Sequence, residues 1–547
     1  MRRPRQLAKP RLTWQSSRPF VAIGAAAFVV IVPFFFYGDP SGHDFEFHLN
    51  SWMEVVCQWK LGILYPRWAA LAHYAYGEAR FLFYPPTSWM LGAWLGVLLP
   101  WKLVPGLFVW IALTLSGSSM FVLARRYLDY GDALIAAILY AANPYFLVVV
   151  YWRSAYAELL AGALFPLLLL YLLKAEDEGA RAVFPMSLLV AAAWLTNVPA
   201  AVMFHYSLAL LVLLIAIRQR SLRIVGIGAA AIILGGLLAA FFLLPAVYEQ
   251  PWVNIAELLS LGVRPIDNFL FHVMADVDHN RFNLLVSLVA AAEMAAVAGA
   301  ALLWWRKKGV PRLASLLVVW AGVAALLMFP FTSLLWDYLP KLRFVQLPWR
   351  WLLCLNVAAA LLIPIAFRRV QSRVLVCITL LAVVFAVWHR VQPPWWDSAL
   401  DLAVMQDDIN TGKGYEGTDE YVPAGADPYE INRDARRVMW EGEGHTLIHI
   451  LQWDPEAKSF IGDVDHPGKL ALRLFNYPAW HVEVNGQAVP AESREVTGQL
   501  MIPVQPGKNA VMLTFVRTSD RTVGALLSAL TLAVMLALKY RPYPDFK

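Results

Sequence analysis

Residues 20–50 read FVAIGAAAFVVIVPFFFYGDPSGHDFEFHLN. The first eighteen, from Phe20 to Tyr37, carry no charge. As a helix at about 1.5 Å per residue they reach roughly 27 Å, close to the hydrocarbon thickness of a bilayer. Upstream stand Arg2, Arg3, Arg5, Lys9, Arg11 and Arg18, and no small-residue cleavage site follows the apolar run. It reads as a retained signal anchor with its basic flank in the cytoplasm. His43, Asp44, Glu46 and His48 then emerge just past the membrane on the far side.

The rest of the chain repeats that signal. Apolar runs recur at 105–124, 131–150, 155–173, 199–217, 224–245, 284–305, 313–331, 346–367, 374–389 and 522–538. A short one, 183–196, reads as half of a hairpin with 199–217, turning at Asn197-Val198-Pro199. The hydrophobic fraction is 59% and the mean hydropathy +0.54, so lipid is the main solvent and about twelve spans are expected. Residues 87–100 are apolar but short, which predicts an interfacial or re-entrant helix.

Charge checks the count. With an inside N-terminus, the clusters Arg125–Arg126, Lys174 and Arg181, Arg218 to Arg223, Arg306 to Arg312, Arg368 to Arg373 and Lys539 to Lys547 all fall on the cytoplasmic side. A full span at 87–100 would invert every one of them. This bias accounts for the net charge of +6, and no basic stripe on a soluble domain points to nucleic acid. Cys57, Cys354 and Cys377 fit neither a disulfide framework nor a zinc site.

The expected fold is an all-α polytopic membrane protein with an extracytoplasmic β-rich domain. Its transmembrane domain covers 1–390 and includes a first outer loop at 38–104. The outer domain covers 391–520 and is irregular over 391–440. Over 445–517 it is sandwich-like: Leu470, Leu472 and Leu474 alternate, as do Val511, Leu513 and Phe515, around turns at Asn485-Gly486 and Pro506-Gly507. A final helix and cytoplasmic tail occupy 521–547. A third outer loop is 246–283.

Four groups of side chains bear on chemistry. If 43–48 is helical, Asp44 and His48 share a face and Glu46 points away. A carboxylate there serves as a general base or metal ligand, with histidines to tune it; the same residues also suit a solvated loop. Tyr65-Pro66-Arg67-Trp68 and Phe83-Tyr84-Pro85-Pro86 suit either interface anchoring or stacking on sugars. Lys341, Arg343, Gln346, Pro348, Trp349 and Arg350 lie at the outer end of a span, against the charge bias. That position asks for an anionic partner such as a lipid phosphate, or for pairing with Asp337. Arg153 and Glu158 pose the same question. Asp276, Asp278 and His279 are candidates for a metal, or plain surface polarity.

The layout resembles the GT-C superfamily of membrane glycosyltransferases: an inside N-terminus, a long first outer loop with an early acidic residue, a Pro-Pro stretch before a short apolar helix, and a span ending in Arg125-Arg126 that is followed by an apolar run to Asn143-Pro144. More narrowly it resembles a bacterial membrane protein family labelled "6-pyruvoyl-tetrahydropterin synthase-related". That resemblance rests on GHDFEFH (42–48), YPRW (65–68), FYPP (83–86), RSAYAELL (153–160), QLPWRWL (346–352) and GYEGTDEYVP (414–423). Pterin chemistry itself is not expected, because nothing reproduces a zinc-binding histidine cluster.

The superfamily resemblance implies transfer of a sugar from a polyprenyl-phosphate carrier to an extracytoplasmic glycan or lipid acceptor at a bacterial inner membrane. Asp44 would be the catalytic base, with Glu46, His43 and His48 orienting or tuning it. Arg343, Arg350, Gln346 and Arg153 would hold the donor phosphate. Tyr84, Trp68, Tyr415, Glu416 and Asp419 would contact sugar or acceptor. A divalent metal is an open option. The rival expectation is a transporter or assembly factor for envelope polysaccharide, which the scarcity of charges inside the spans disfavours.

Overall fold

The computed structural model describes residues 14–306, 312–367, 369–375, 378, 379, 381, 382 and 395–540. Among these, eight helical segments are long and apolar enough to cross a bilayer: Ser17–Tyr37, Trp101–Ala124, Tyr130–Arg153, Tyr156–Thr196, Val198–Gln219, Val277–Trp305, Pro348–Ala366 and Ser519–Lys539. Two helix pairs also qualify but are bent, Arg223–Leu238 with Ala240–Tyr248 by 76° and Leu313–Leu326 with Pro330–Tyr338 by 92°. The chain is therefore a polytopic helical membrane protein of eight to ten candidate spans.

The difference from about twelve has physical reasons. The segment Tyr156–Thr196 is 41 residues long and contains both 155–173 and 183–196, as helices Leu164–Glu178 and Val183–Thr196 that pack together. Most of 374–389 lies outside the described residues. At the sharper bend Pro330 cannot continue the helix. The carbonyls freed there are taken up by side chains: Trp336 donates to Leu327 O at 3.1 Å and Thr332 to Phe329 O at 2.8 Å.

Asp44 stands at the N-cap of helix Phe45–Lys60, which buries Phe45, His48, Leu49, Trp52 and Met53 along one side. It packs on helix Pro86–Leu98, the predicted short segment. Thirteen residues span roughly 20 Å, too little to cross.

Eleven strands are present among the described residues. Strand β1 (Asp39–Pro40) pairs antiparallel with β2 (Trp396–Asp397), joining the end of the first span to the start of the outer domain. The other strands are β3 (Val438–Glu441), β4 (Thr446–Trp453), β5 (Ala457–Val464), β6 (Gly468–Phe475), β7 (Trp480–Val484), β8 (Gln487–Ala488), β9 (Glu492–Ser493), β10 (Gln499–Val504) and β11 (Gly507–Phe515). They form two antiparallel sheets, ordered β3-β6-β10-β9 and β4-β5-β11-β7-β8. Leu470, Leu472 and Ile502 from one sheet share a core with Phe460, Val511, Leu513 and Phe515 from the other. In β11 those three residues are buried while Ala510, Met512 and Thr514 face out, the alternation expected of a strand.

The region 391–440 is less irregular than its composition predicts. It contains helix Ala399–Asn410, started by a capping box between Ser398 and Asp401. The Ser-x-x-Asp spacing was the available signal.

Candidate active site

Asp44 is fixed by its backbone. Its N–H donates to Arg153 O at 2.8 Å, His43 N–H to Trp152 O at 3.4 Å and Gly42 N–H to Ser154 Oγ at 3.0 Å. Ser154 Oγ in turn donates to Pro40 O at 2.7 Å. Ser154 is left-handed, φ 50°, where the π-helical turn Val149–Arg153 ends. The two backbones are so close that a Cβ at Gly42 would lie 2.5 Å from Arg153 C and Trp152 O. Only glycine fits there.

This interlock sets the half-buried Asp44 carboxylate 3.5 Å from the Arg153 guanidinium. Arg153 also binds Glu158 at 2.5 Å and lies over the Trp349 ring at 5.0 Å. Glu158 is shared: Arg350 Nε donates to it at 2.9 Å and the Tyr145 hydroxyl donates to its other oxygen. Arg153, Glu158 and Arg350 are all at least 93% buried, so each ion is compensated inside the network.

The network continues into the membrane. Glu293, in span Val277–Trp305 and 1% exposed, accepts from Tyr145 N at 3.1 Å and from Asn356 Nδ2 at 3.0 Å. It caps the helix that restarts at Pro144 after the Asn143 break. The scarcity of interior charge predicted for the spans needs this correction. Glu293 was visible in the sequence as the one acidic residue of 284–305.

The other predicted residues divide. His48 is buried against Tyr84, Trp52 and Tyr156, its Nε2 without a partner among the described residues. Burial lowers its pKa to about 4; the Asp44 charge opposes this, and the Arg80 and Arg153 charges add to it. His43 is exposed, its ring edge on Phe282 at 5.1 Å. Glu46 is exposed and its charge is felt by Asp397. Tyr84 is partly open and close enough to Asp44 for that charge, after burial, to raise its phenol.

Arg350 and Arg343, both expected at the donor phosphate, differ in their surroundings. Arg350 is occupied by Glu158, by Val345 O at 2.7 Å and by Gln346 Oε1 at 3.1 Å. Gln346 itself donates to Leu258 O at 2.7 Å. Both hold the 342–350 segment in place. Arg343 is exposed, lies 5.3 Å from the Phe344 ring centroid and forms no ion pair among the described residues.

Two expected sugar contacts, Trp68 and Tyr415, need correction. Trp68 is fully buried against Tyr477, Trp480 and Phe515, leaving no face for a sugar. Tyr415 is buried and donates to Glu54 at 2.6 Å. Asp419 accepts from Tyr429 at 2.9 Å, whereas Glu416 is exposed. Tyr415 belongs to a second buried network that the sequence reading missed. There Arg80 binds Glu78 at 2.5 Å and Ser51 at 2.9 Å, and Glu78 also takes His73 at 2.9 Å and Thr418 N at 2.8 Å. It fastens the outer domain to the first loop. Arg80 directly precedes Phe81-Leu82-FYPP-type residues, and a charge inside so apolar a run was its only signal.

Asp276, Asp278 and His279 do not make a metal centre. Asp276 caps helix Val277–Trp305, Asp278 pairs with Arg281 at 3.1 Å, and His279 contacts Asp267 O at 3.1 Å. Among the described residues no three His, Cys, Asp or Glu side chains converge as a metal requires.

With this geometry in hand, comparisons place the chain. It is similar in structure to the arabinofuranosyltransferase AftD from Mycobacteria, with 18% identity, a TM-score of 0.40, and 73% of this chain covering 27% of that one. It is also similar to the Archaeoglobus fulgidus oligosaccharyltransferase in its apo form, with 12% identity, a TM-score of 0.38, and 74% of this chain covering 57% of that one. The same archaeal enzyme, AglB, in complex with an inhibitory peptide and a dolichol-phosphate is matched at 13% identity and a TM-score of 0.38, with the same coverage. The chain thus spans about a quarter of the first protein's length and just over half of the second's. No curated protein matches. A family model described as "6-pyruvoyl-tetrahydropterin synthase related domain; membrane protein" matches residues 81–393, more than half of the sequence and the part that holds both arginines and Glu158. The chain belongs to this 6-pyruvoyl-tetrahydropterin synthase related membrane protein family.

Proposed function

We propose that this protein is a membrane glycosyltransferase that moves a sugar from a polyprenyl-phosphate carrier to an extracytoplasmic glycan or lipid acceptor. One observation carries the reading. A partly open carboxylate, Asp44, is held by backbone bonds beside a buried, charge-compensated arginine network at the outer end of the spans. In the reaction the acceptor hydroxyl attacks the anomeric carbon, and the bond from that carbon to the phosphate oxygen breaks. The proton passes to Asp44 and the polyprenyl phosphate leaves with the bonding electrons. Arg343 is an exposed cation available to the phosphate, while Arg350 and Arg153 position the loop and the base. A carrier that stays in lipid accounts for so large a membrane domain.

The test is sugar transfer from a radiolabelled polyprenyl-phosphate sugar in membranes. A general base is worth about 10²–10⁴ in rate, so Asp44→Asn should lose transfer to that extent while Glu46→Gln keeps it. Wild-type turnover by a well-folded Asp44→Asn protein would sink the assignment. A second reading, a transporter or assembly factor for envelope polysaccharide, gains from Glu293, a carboxylate at a helix break within a span. Failure of the wild type to transfer any sugar, with polysaccharide export lost in Glu293→Ala cells, would favour it.

A further inference from the structure

A cavity of about 670 Å³, not lined by Asp44, lies where helices Phe45–Lys60, Pro86–Leu98 and Ala399–Asn410 meet. Ligand pockets are typically about 300–1,000 Å³. Each helix gives it one stripe. The first presents Met53, Val56, Cys57 and Lys60, and the second Met90, Trp94 and Val97. The third presents Gln406, Ile409 and Asn410. These spacings of three, four and seven each keep a single helix face turned inward. Trp59 and Trp94 meet edge to face at 5.9 Å, and Trp101, the first residue of the next span, also lines the groove.

The groove sets polar groups beside an apolar wall. Its mouth continues into Leu61, Leu64, Trp94, Val97 and Leu98, each more than half exposed, a surface suited to lipid at the membrane boundary. The same rim carries the exposed Lys60 ammonium, next in the chain to Leu61, and the Gln406 amide lines the groove. Neither forms a hydrogen bond or ion pair among the described residues, and Asn410 only accepts weakly from Cys57 Sγ at 3.7 Å. Donors with one positive charge beside an apolar trough match an amphiphile with a negative head.

We propose that this groove holds an anionic phospholipid, its phosphate on Lys60 and the two amides and its acyl chain along Trp94 and Val97. The proposal is independent of the transfer chemistry at Asp44. Such a lipid would brace the junction between the first outer loop and the outer domain, since the three helices belong to both.

Full-length protein, purified in mild detergent, is titrated with phosphatidylglycerol or with phosphatidylcholine of the same chains and read by native mass spectrometry. Alkylation of Cys57, which lines the groove, reports occupancy at the site. The wild type should retain one phosphatidylglycerol in preference to phosphatidylcholine, with slowed Cys57 alkylation. One basic residue near a membrane surface is worth roughly fivefold in binding, so Lys60→Glu should reduce retention by about that factor or more, and Lys60→Arg should keep it. Trp94→Ala with Val97→Ala should lower retention of both lipids. If Lys60→Glu proves polydisperse, Gln406→Ala with Asn410→Ala tests the same head-group contacts. Equal retention by wild type and the head-group variant, or Cys57 protection that is the same for both head groups, overturns the proposal.

Discussion

His48 is the most exacting residue near the base. It sits one helical turn beyond Asp44, with Nε2 unpaired among the described residues, in a shell of Trp52, Tyr84 and Tyr156. Such a ring must stay neutral, and its folded pKa of about 4 lies below the ordinary value of 6.5. Between those two values the unfolded chain binds a proton that the folded chain does not. Stability therefore falls as pH drops from about 6.5 to about 4, by up to roughly 3 kcal/mol for a shift of this size. Thermal unfolding in detergent should show this slope, and His48→Phe should flatten it over that window. An unchanged slope in His48→Phe would mean that other groups carry the acid sensitivity. The sequence pointed to His48 as a partner of Asp44 through their spacing. It did not show that the ring would be buried, because the residues that bury it come from three separate segments.

At the scale of elements, ionic clamps hold the outer domain to the membrane domain. In one, Arg521 at the head of helix Ser519–Tyr540 grips Glu249 with two bonds of 2.7 Å, and Tyr477 of the β-domain donates to the same carboxylate at 2.6 Å. Glu249 follows helix Ala240–Tyr248, against which the last span packs so tightly that a Cβ at Gly524 would lie 2.5 Å from Ala240 O. Ser528 Oγ adds a bond from Phe241 N at 2.9 Å. Removing one partner of such a buried pair strands the other's charge, at a cost of about 3–5 kcal/mol. Arg521→Ala should therefore loosen the β-domain, read as faster limited proteolysis between residues 480 and 520 and a lower melting temperature. Arg521→Lys, which keeps charge but loses the planar fork, should fall between. Cleavage at the wild-type rate in Arg521→Ala would show that the aromatic contacts around Trp68 suffice. The strands of this domain were legible from alternation and turn residues, which are local signals. Its clamps were not, since Glu249, Tyr477 and Arg521 are far apart in the chain and nothing local marks them as neighbours.

For the whole molecule, the one-sided distribution of Lys and Arg makes the strongest claim: both termini in the cytoplasm and 391–520 outside. The structure supplies a consistency requirement. Strand β1 follows the first span directly and pairs with β2 at the start of the outer domain, so residues 39 and 397 must lie on the same side. Glu78 of the first loop binds Thr418 of the outer domain, which extends the requirement to the GYEGTDEYVP stretch. The spans were readable because apolar length is a local property. Their bends were less so, as the break at Pro330 depends on Trp336 and Thr332 returning to carbonyls that only the folded turn exposes. Impermeant maleimide labelling of Gly412→Cys in intact spheroplasts decides the side. Gly412 has a left-handed backbone, φ 74°, with open space around it, so the variant strains one turn without a clash. Labelling from outside is expected, together with inside-only labelling of a cysteine added after Lys547. Labelling of Gly412→Cys from the cytoplasm alone would invert the molecule. Asp44 would then face the cytoplasm too, because the β1–β2 pair ties the two loops together, and a donor presented at the outer leaflet would be out of its reach.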